Sequence, residues 1–555
     1  MRPANRPASI VWPVAIWLAV MGNLPLWQRV HEVSQQASGE IALFAGLGLM
    51  VAGATAALLS LMAWPRLLRP VASALVVIAA LNSHFMWQYG AVIDPTMLAN
   101  VAQTDAREVR DLLTWSLPVT VILLAGPALW WIWRRPSLAR GGLRQAGRNL
   151  LGAAFGVVVL AAATLGSYQD LASLMRNHKS LRYMINPLNT VYAGARLAVE
   201  RLPRQVHALE PVAQDAAPGS SYLGQQRPPL LLVVVGETAR AANWGLNGYA
   251  RQTTPALAQW QAGGELVNFS NVKSCGTNTQ VSVPCMFSPL TREQGGDGNP
   301  HKENLLDVLH RAGLAVLWID NQSGCKGLCD RVPNATTREL GLPGLCENGE
   351  CHDEVMLHGL DERIAALDPE RRARGIVLVM HQMGSHGPAY FKRTAADRKP
   401  FQPECASSTL SECPREQVVN AYDNTIAATD RFLDGALQWL RKRADAGAGD
   451  TALVYVSDHG ESLGENGLYL HGVPYAFAPR QQVEVPMVAW LSPGMQRRAG
   501  LDLACLRGRA AEALSHDNLF HTVLGLMDIR TGAYLRSLDA LAPCSGDPAP
   551  RLARG

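Results

Sequence analysis

The stretch Leu230-Leu-Leu-Val-Val-Val235-Gly236-Glu237-Thr238 decides the fold of the larger part of this chain. An unbroken apolar, β-branched run of this length reads as a strand buried on both faces of a parallel sheet. A second run, Leu453 to Val456, ends in Ser457-Asp458-His459-Gly460. Open α/β sheets bind ligands just beyond the carboxyl ends of their strands, so Glu237 and the Asp458-His459 pair are the first candidate site residues. Working outward, Ala315 to Ile319 exits into Asp320-Asn321-Gln322, and Ile376 to Met380 exits into His381 and Gly384-Ser385-His386-Gly387-Pro388. Helical stretches such as Lys302 to Ala312 and Gln417 to Arg443 separate these runs. The alternation predicts a mostly parallel α/β sheet with helices on both faces, and four polar exits on one sheet edge predict a site there.

The residue types at that edge suit a metal ion. Zinc takes nitrogen and oxygen donors in tetrahedral sets, and a catalytic site leaves one position for the reacting group. Glu237, Asp458 and His459 supply three such donors, and a hydroxyl from Cys275-Gly-Thr277-Asn-Thr279-Gln-Val-Ser-Val-Pro-Cys285 supplies a fourth. Threonine is a poor nucleophile at neutral pH, but a metal lowers the pKa of its hydroxyl. If the segment after Cys275 opens a helix, the amides at its start also favour a phosphoryl group on Thr279. Each residue has a plainer role as well: Glu237 as a helix cap, Asp458-His459 as a turn, Thr277 and Thr279 as capping or packing hydroxyls.

The first third of the 555 residues is different in kind. Five stretches approach the roughly 20 apolar residues needed to cross a ~30 Å hydrocarbon layer. They are Ile10 to Trp27, Ile41 to Trp64, Val71 to Ile93, Trp115 to Trp133 and Leu150 to Tyr168, giving a membrane domain over 1–168. The first, with Arg2 and Arg6 ahead of it and Pro13, Asn23 and Pro25 within, also reads as a signal peptide. Loop arginines set the orientation: Arg2, Arg6, Arg66, Arg69, Arg134, Arg135, Arg140, Arg144 and Arg148 on one side outnumber Arg29, Arg107 and Arg110 on the other. By the positive-inside rule the N-terminus is cytoplasmic, and everything after Tyr168 lies outside, in a bacterium the periplasm. Leu171 to Leu202 mixes apolar positions with Arg176, His178, Lys179, Arg182 and Arg196, as helices on a membrane surface do. Val206 to Pro229 has the Pro, Ala, Gln and Gly content of a linker, so 169–229 reads as interfacial helices plus linker and 230–555 as the catalytic domain.

All ten cysteines follow residue 274, which fits disulfides in an oxidising compartment. Short spacings suggest Cys275 with Cys285, Cys325 with Cys329, Cys346 with Cys351 and Cys405 with Cys413, leaving Cys505 with Cys544. Thiolate zinc at Cys325, Cys329, Cys346 and Cys351 is the rival reading. The net charge of +4 is small and gives no sign of nucleic-acid binding, and there is no internal repeat. Almost no charge lies within the spans, which argues against a transporter.

Several motifs together resemble the membrane-bound phosphoethanolamine transferases that decorate lipid A, a group that includes the mobile colistin-resistance enzymes. They are Asp94-Pro-Thr-Met-Leu-Ala-Asn100-Val-Ala-Gln-Thr104-Asp105, Arg176-Asn-His-Lys179, Ile185-Asn-Pro-Leu-Asn189, Val235-Gly-Glu237-Thr-Ala-Arg240 and Cys275-Gly-Thr-Asn-Thr279. Gly384-Ser-His386-Gly-Pro388, Asn420-Ala-Tyr-Asp-Asn424 and Ser457-Asp458-His459-Gly-Glu461 complete the set. The resemblance implies a five-span membrane domain carrying a domain of the sulfatase and alkaline phosphatase type. It implies zinc held at Glu237, Thr279, Asp458 and His459, with Thr279 rather than Thr277 as nucleophile. Lys326, His386 and His471 match positions that line the substrate region, where the histidines bind further zinc or shuttle protons. Gln322 stands where relatives carry an asparagine, which puts headgroup contact there in doubt. Asn100, Thr104 and Glu108 fall in the outer loop after the third span, where a lipid headgroup would meet them.

The expected activity is zinc-dependent transfer of phosphoethanolamine from phosphatidylethanolamine to a lipid A phosphate through an ester on Thr279, by an inner-membrane monomer that confers polymyxin resistance. One rival keeps the chemistry and changes the acceptor to another lipopolysaccharide sugar, a surface glycan or a protein. Another is an inactive membrane scaffold or sensor, which would require a lost metal ligand.

Overall fold

The computed structural model describes residues 7–34, 40–103, 106–135, 142–167, 171, 174–175, 179–201, 209–295, 302–337, 340–347 and 350–546. The chain divides into two compact units, Met1–Leu202 and Pro203–Gly555.

The first unit is helical: α1 (Ala8–Val20), α2 (Leu24–Ser34), α3 (Glu40–Leu61), α4 (Leu68–Tyr89), α5 (Pro95–Gln103), α6 (Ala106–Leu112), α7 (Ser116–Arg134), α8 (Leu143–Gly166) and α9 (Leu188–Arg201). Among the described residues five stretches are long and apolar enough to cross a membrane: Ala8–Val33, Leu43–Leu61, Leu68–Tyr89, Ser116–Arg134 and Leu143–Gly166. The first is interrupted by a 3-10 turn at Met21–Asn23, just before Pro25, whose ring lacks the N–H an α-helix needs. The third stops at Gly90 in the left-handed conformation, so Val92 and Ile93 fall outside the predicted span's helix. The fifth begins seven residues before the predicted Leu150, because Leu143 to Asn149 continues the helix through its polar end. Small residues let α3 and α8 meet backbone to backbone: a Cβ on Gly156 would lie 2.7 Å from Ala57 N, and one on Gly53 2.8 Å from Gly156 O. Ile122, Leu123, Leu151 and Leu165 are exposed, as expected of side chains that face lipid.

The second unit is built on an eight-stranded sheet: β1 (Pro229–Gly236), β2 (Leu266–Lys273), β3 (Ala315–Asp320), β4 (Asn334–Thr336), β5 (Ile376–His381), β6 (Asp450–Ser457), β7 (Glu484–Leu491) and β8 (Leu514–Ser515). The strand order is β8-β2-β7-β6-β1-β5-β3-β4. Every pairing is parallel except those of β7, which runs antiparallel to both β2 and β6. All four predicted strands lie side by side in this sheet, in the order β6-β1-β5-β3. The sequence reading missed β2, β7 and the short strands β4 and β8; β2 mixes Asn268, Ser270, Asn271 and Lys273 with its apolar residues and carries no uniform period. Two cores cover the two sheet faces, one around Val233, Phe287 and Phe520, the other around Leu232, Trp244 and Phe432. The long helix α11 (Arg415–Asp445), introduced after the short α10 (Thr279–Met286), packs on the second face.

Part of the stretch read as a linker belongs to this unit. Val212 is buried in the first core, Ala217–Pro218 pairs with Ile529–Arg530, and the Tyr222 hydroxyl donates to Met527 O. All ten cysteines are in disulfides: Cys275–Cys285, Cys325–Cys329, Cys346–Cys351, Cys405–Cys413 and Cys505–Cys544. No thiolate remains for zinc.

Candidate active site

Sheet register brings the site together. Gly236 of β1 pairs with Ser457 of β6, so the next residue of each strand, Glu237 and Asp458, stand side by side past the sheet edge. Gly236 is required there, because a Cβ would lie 2.5 Å from the Tyr455 hydroxyl oxygen. Asp458 Oδ1 accepts from the N–H groups of Thr238 at 3.0 Å and His459 at 2.7 Å. Its Oδ2 is buried without a hydrogen-bond partner, 3.3 Å from His459 Nε2. His459 Nδ1 lies 2.9 Å from the Gly460 carbonyl, which can only accept, so Nδ1 carries the hydrogen and Nε2 faces the carboxylates.

Thr279 opens α10, whose N-cap Asn278 accepts from Val281 N. Its Oγ1 lies 3.3 and 3.4 Å from the two Glu237 carboxylate oxygens and 3.4 Å from His459 Nε2. Thr277 is turned away: its hydroxyl donates to Val473 O at 2.7 Å. The two threonines, equivalent by composition, therefore have different surroundings.

The donor set fits a small cation. Glu237, Asp458 and His459 each offer an atom within 4.8 Å of the others, and all three are fully buried. Two carboxylates in one buried site are costly without a cation between them, and Asp458 Oδ2 is an acceptor with nothing donated to it. The electrostatics agree. Burial and the neighbouring Glu237 charge push the Asp458 carboxyl up to about 6. Burial also works against ionised Glu237, but bonds to His381 and His459 hold its carboxyl well below the usual range. His459 is driven up to about 10 against the effect of burial, by the charges of Asp458 and Glu237. These carboxylates thus hold a proton on the one nitrogen that a metal would use, and metal binding must release it.

Two histidines that the sequence named lie against this centre. His471 packs on His459 with ring centroids 4.3 Å apart and the planes tilted by 47°, and His386 meets His471 at 5.6 Å. His471 Nδ1 is 3.2 Å from Glu461 Oε1, while the Tyr390 hydroxyl donates to Glu461 Oε2. Burial pushes His386 down to about 3, so its imidazole is neutral at physiological pH. Gln322 is buried at the end of β3, and its Oε1 accepts from Ser323 N. Lys326 Nζ donates to Ser323 Oγ at 2.8 Å within the Cys325–Cys329 loop. Asn100 lies on α5 of the first unit; Thr104 is outside the described residues, and Glu108 falls in α6 without a described side chain.

His381 and Asp320 appeared in the sequence only as strand exits. In the structure His381 Nδ1 is 3.2 Å from Asp320 Oδ2 and its Nε2 is 3.7 Å from Glu237 Oε2. Asp353 gave no signal, since it sits on no strand exit. It accepts from Asn321 Nδ2, Gln382 Nε2, Met383 N and Gly384 N, and so ties together the loops after β3 and β5.

Residues 51–202 match the family described as phosphoethanolamine transferase EptA/EptB, and residues 229–529 match the sulfatase family. The chain is similar to phosphoethanolamine transferase EptA of Escherichia coli strain K12, 40% identical over 550 residues that cover 97% of this chain and 95% of that one. It is similar to phosphatidylethanolamine transferase Mcr-1 of Escherichia coli, 36% identical over 542 residues covering 95% and 96%. Its structure is similar to that of the integral membrane protein lipooligosaccharide phosphoethanolamine transferase A from Neisseria meningitidis. That match has a TM-score of 0.90 at 36% identity and covers 97% of this chain and 99% of that one. Likeness over both units, membrane helices as well as sulfatase-like sheet, shows that the chain belongs to the EptA family of phosphoethanolamine transferases.

Proposed function

We propose that the protein moves phosphoethanolamine from phosphatidylethanolamine to a phosphate of lipid A, with an ester on Thr279 as intermediate. One observation carries the reading: a threonine hydroxyl at the start of a helix sits within 3.4 Å of Glu237 and His459, in a buried cluster of carboxylate and imidazole donors. Glu237, Thr279, Asp458 and His459 would hold zinc. When bound, zinc lowers the pKa of a hydroxyl and offsets charge on phosphoryl oxygens. Thr279 Oγ attacks the donor phosphorus, the bond from phosphorus to the diacylglycerol oxygen breaks, and that oxygen takes a proton. An oxygen of the acceptor phosphate then attacks the same phosphorus, and the bond to Thr279 Oγ breaks. His471 lies against His459 and His386 against His471, in place to carry protons between these groups. Gln322 and Lys326 face the headgroup.

Loop arginines and the disulfides support a bacterial inner-membrane protein with cytoplasmic N-terminus and periplasmic catalytic unit. The protein acts as a monomer. Each transferred group sets an ammonium beside a lipid A phosphate, which weakens binding of cationic polymyxins. Purified protein given phosphatidylethanolamine without acceptor is expected to release diacylglycerol in a burst equal to the enzyme present. The peptide spanning Cys275 to Cys285 gains the mass of one phosphoethanolamine, and added lipid A discharges it. A steady rate without a burst or labelled peptide refutes the intermediate, and discharge without preference for lipid A refutes the acceptor.

A further inference from the structure

Three of the asparagines buried among the helices of the first unit meet one another: Asn23 between α1 and α2, Asn82 in α4, and Asn186 before α9. Buried amides in an apolar surrounding persist only where they are paired, and these are paired with one another. The Asn23 side chain bonds the main chain of residue 186 twice, accepting from Asn186 N at 2.8 Å and donating to Asn186 O at 2.7 Å. It replaces a strand partner for that residue. Asn82 Nδ2 donates to Asn186 Oδ1 at 3.0 Å and to Thr190 Oγ1 of α9 at 2.6 Å, and Asn186 Nδ2 donates to Gly22 O at 3.2 Å. Residues far apart in the chain thus fix the start of α9. Helix α9 in turn holds α5. Asn189 Nδ2 donates to Ile93 O, just before the Asp94 side chain that caps α5 through Met97 N, and α9 packs on α5 where Gly194 faces Leu98. Helix α5 carries Asn100.

We infer that the Asn23–Asn82–Asn186 clasp is a positioning device for the donor lipid: through α9 it sets the place of α5, and with it the headgroup contact at Asn100. The inference rests on the reading of Asn100 as a donor contact. It accounts for the motif Ile185-Asn-Pro-Leu-Asn189, which otherwise has no function.

The test titrates the full chain in detergent, carrying Thr279→Ala so that donor binds without reacting, with an acyl-chain-labelled phosphatidylethanolamine in mixed micelles. Asn82→Leu removes two clasp bonds while keeping the branched shape of the side chain and is expected to weaken donor binding ~10-fold, the scale of one or two interhelical hydrogen bonds. Zinc content and the five disulfides, which report on the second unit, stay at the parent's values. If Asn82→Leu does not insert, Asn189→Ala, which releases Ile93 O and Tyr183 O, carries the same test. Unchanged donor affinity in the inserted variant overturns the inference. So does an equal loss for acyl-chain-labelled phosphatidylcholine, which would mark a general disturbance of the helices. Failure of the parent to bind donor saturably overturns the donor reading itself and this inference with it, whereas missing Thr279 label in the burst experiment overturns only the intermediate.

Discussion

Asp458→Asn isolates the proposed metal site from the fold. Oδ1 of Asp458 holds two backbone N–H groups, and the asparagine carbonyl keeps both. Oδ2 accepts no hydrogen bond among the described residues, so replacing it by NH2 breaks none; it removes one negative donor beside His459 Nε2 and gives up the 3.3 Å ion pair with that histidine. Structural zinc sites contribute ~10–16 kcal/mol over four donors, or roughly 3–4 kcal/mol per donor. Zinc affinity is therefore expected to fall by a factor on the order of 10²–10³, with the melting temperature of the metal-free protein unchanged or raised. The rise would come from relieving the repulsion between Asp458 and Glu237 that lifts the Asp458 carboxyl to about 6. Competition against a chromophoric chelator measures the affinity, and proton release on zinc addition, read in a weak buffer, checks that His459 gives up its proton. Affinity within twofold of the wild type would refute the ligand assignment, and a large drop in metal-free melting temperature would mean Oδ2 holds the fold instead.

Thr279→Ala is expected to abolish diacylglycerol release and the labelled peptide while the protein stays folded. Thr277→Ala, which leaves Val473 O without this donor, is expected to cost ~1 kcal/mol of stability and retain the label, and the reverse pattern would exchange the two roles. Asp430 gives a pH test remote from the site: its carboxylate accepts from Ala256 N and Leu257 N, and burial pushes it up to about 6. A carboxyl that holds its proton more tightly folded than unfolded makes the fold lose stability as pH rises, here between about 4 and 6, by up to ~3 kcal/mol. Asp430→Asn is expected to gain on the wild type across that window in thermal unfolding at pH 4 and pH 8, and a pH-independent difference would count against the shift.

Runs of one chemical kind were legible in the sequence. Leu230 to Val235, Ala315 to Ile319, Ile376 to Met380 and Leu453 to Val456 are strands because nothing but a sheet buried on both faces accommodates them. The spans were legible for the same reason, to within the few residues by which polar helix ends outrun the apolar run. Cysteines close in sequence could be paired because short loops leave few partners. Glu237, Asp458 and His459 could be named because a strand fixes where its last residue stands. What the sequence could not supply was anything set by register, direction or distance through space. Strand β2 lacks a uniform pattern, with Asn268, Ser270, Asn271 and Lys273 among its apolar residues, whereas β7 carries an apolar run, Val485 to Leu491, that Pro486 near its start disguises. Thr277 and Thr279 differ only in which way the start of α10 turns their hydroxyls, one to Val473 O and the other to Glu237. Asp353 serves two loops from a position that no periodicity marks, and Asn23, Asn82 and Asn186 look like three misplaced amides until folding brings them together. Local chemistry determines which elements form and what their ends carry; only the packed chain decides which polar groups meet, because a hydrogen bond depends on position to within a fraction of an ångström and on direction, and neither is a property of composition.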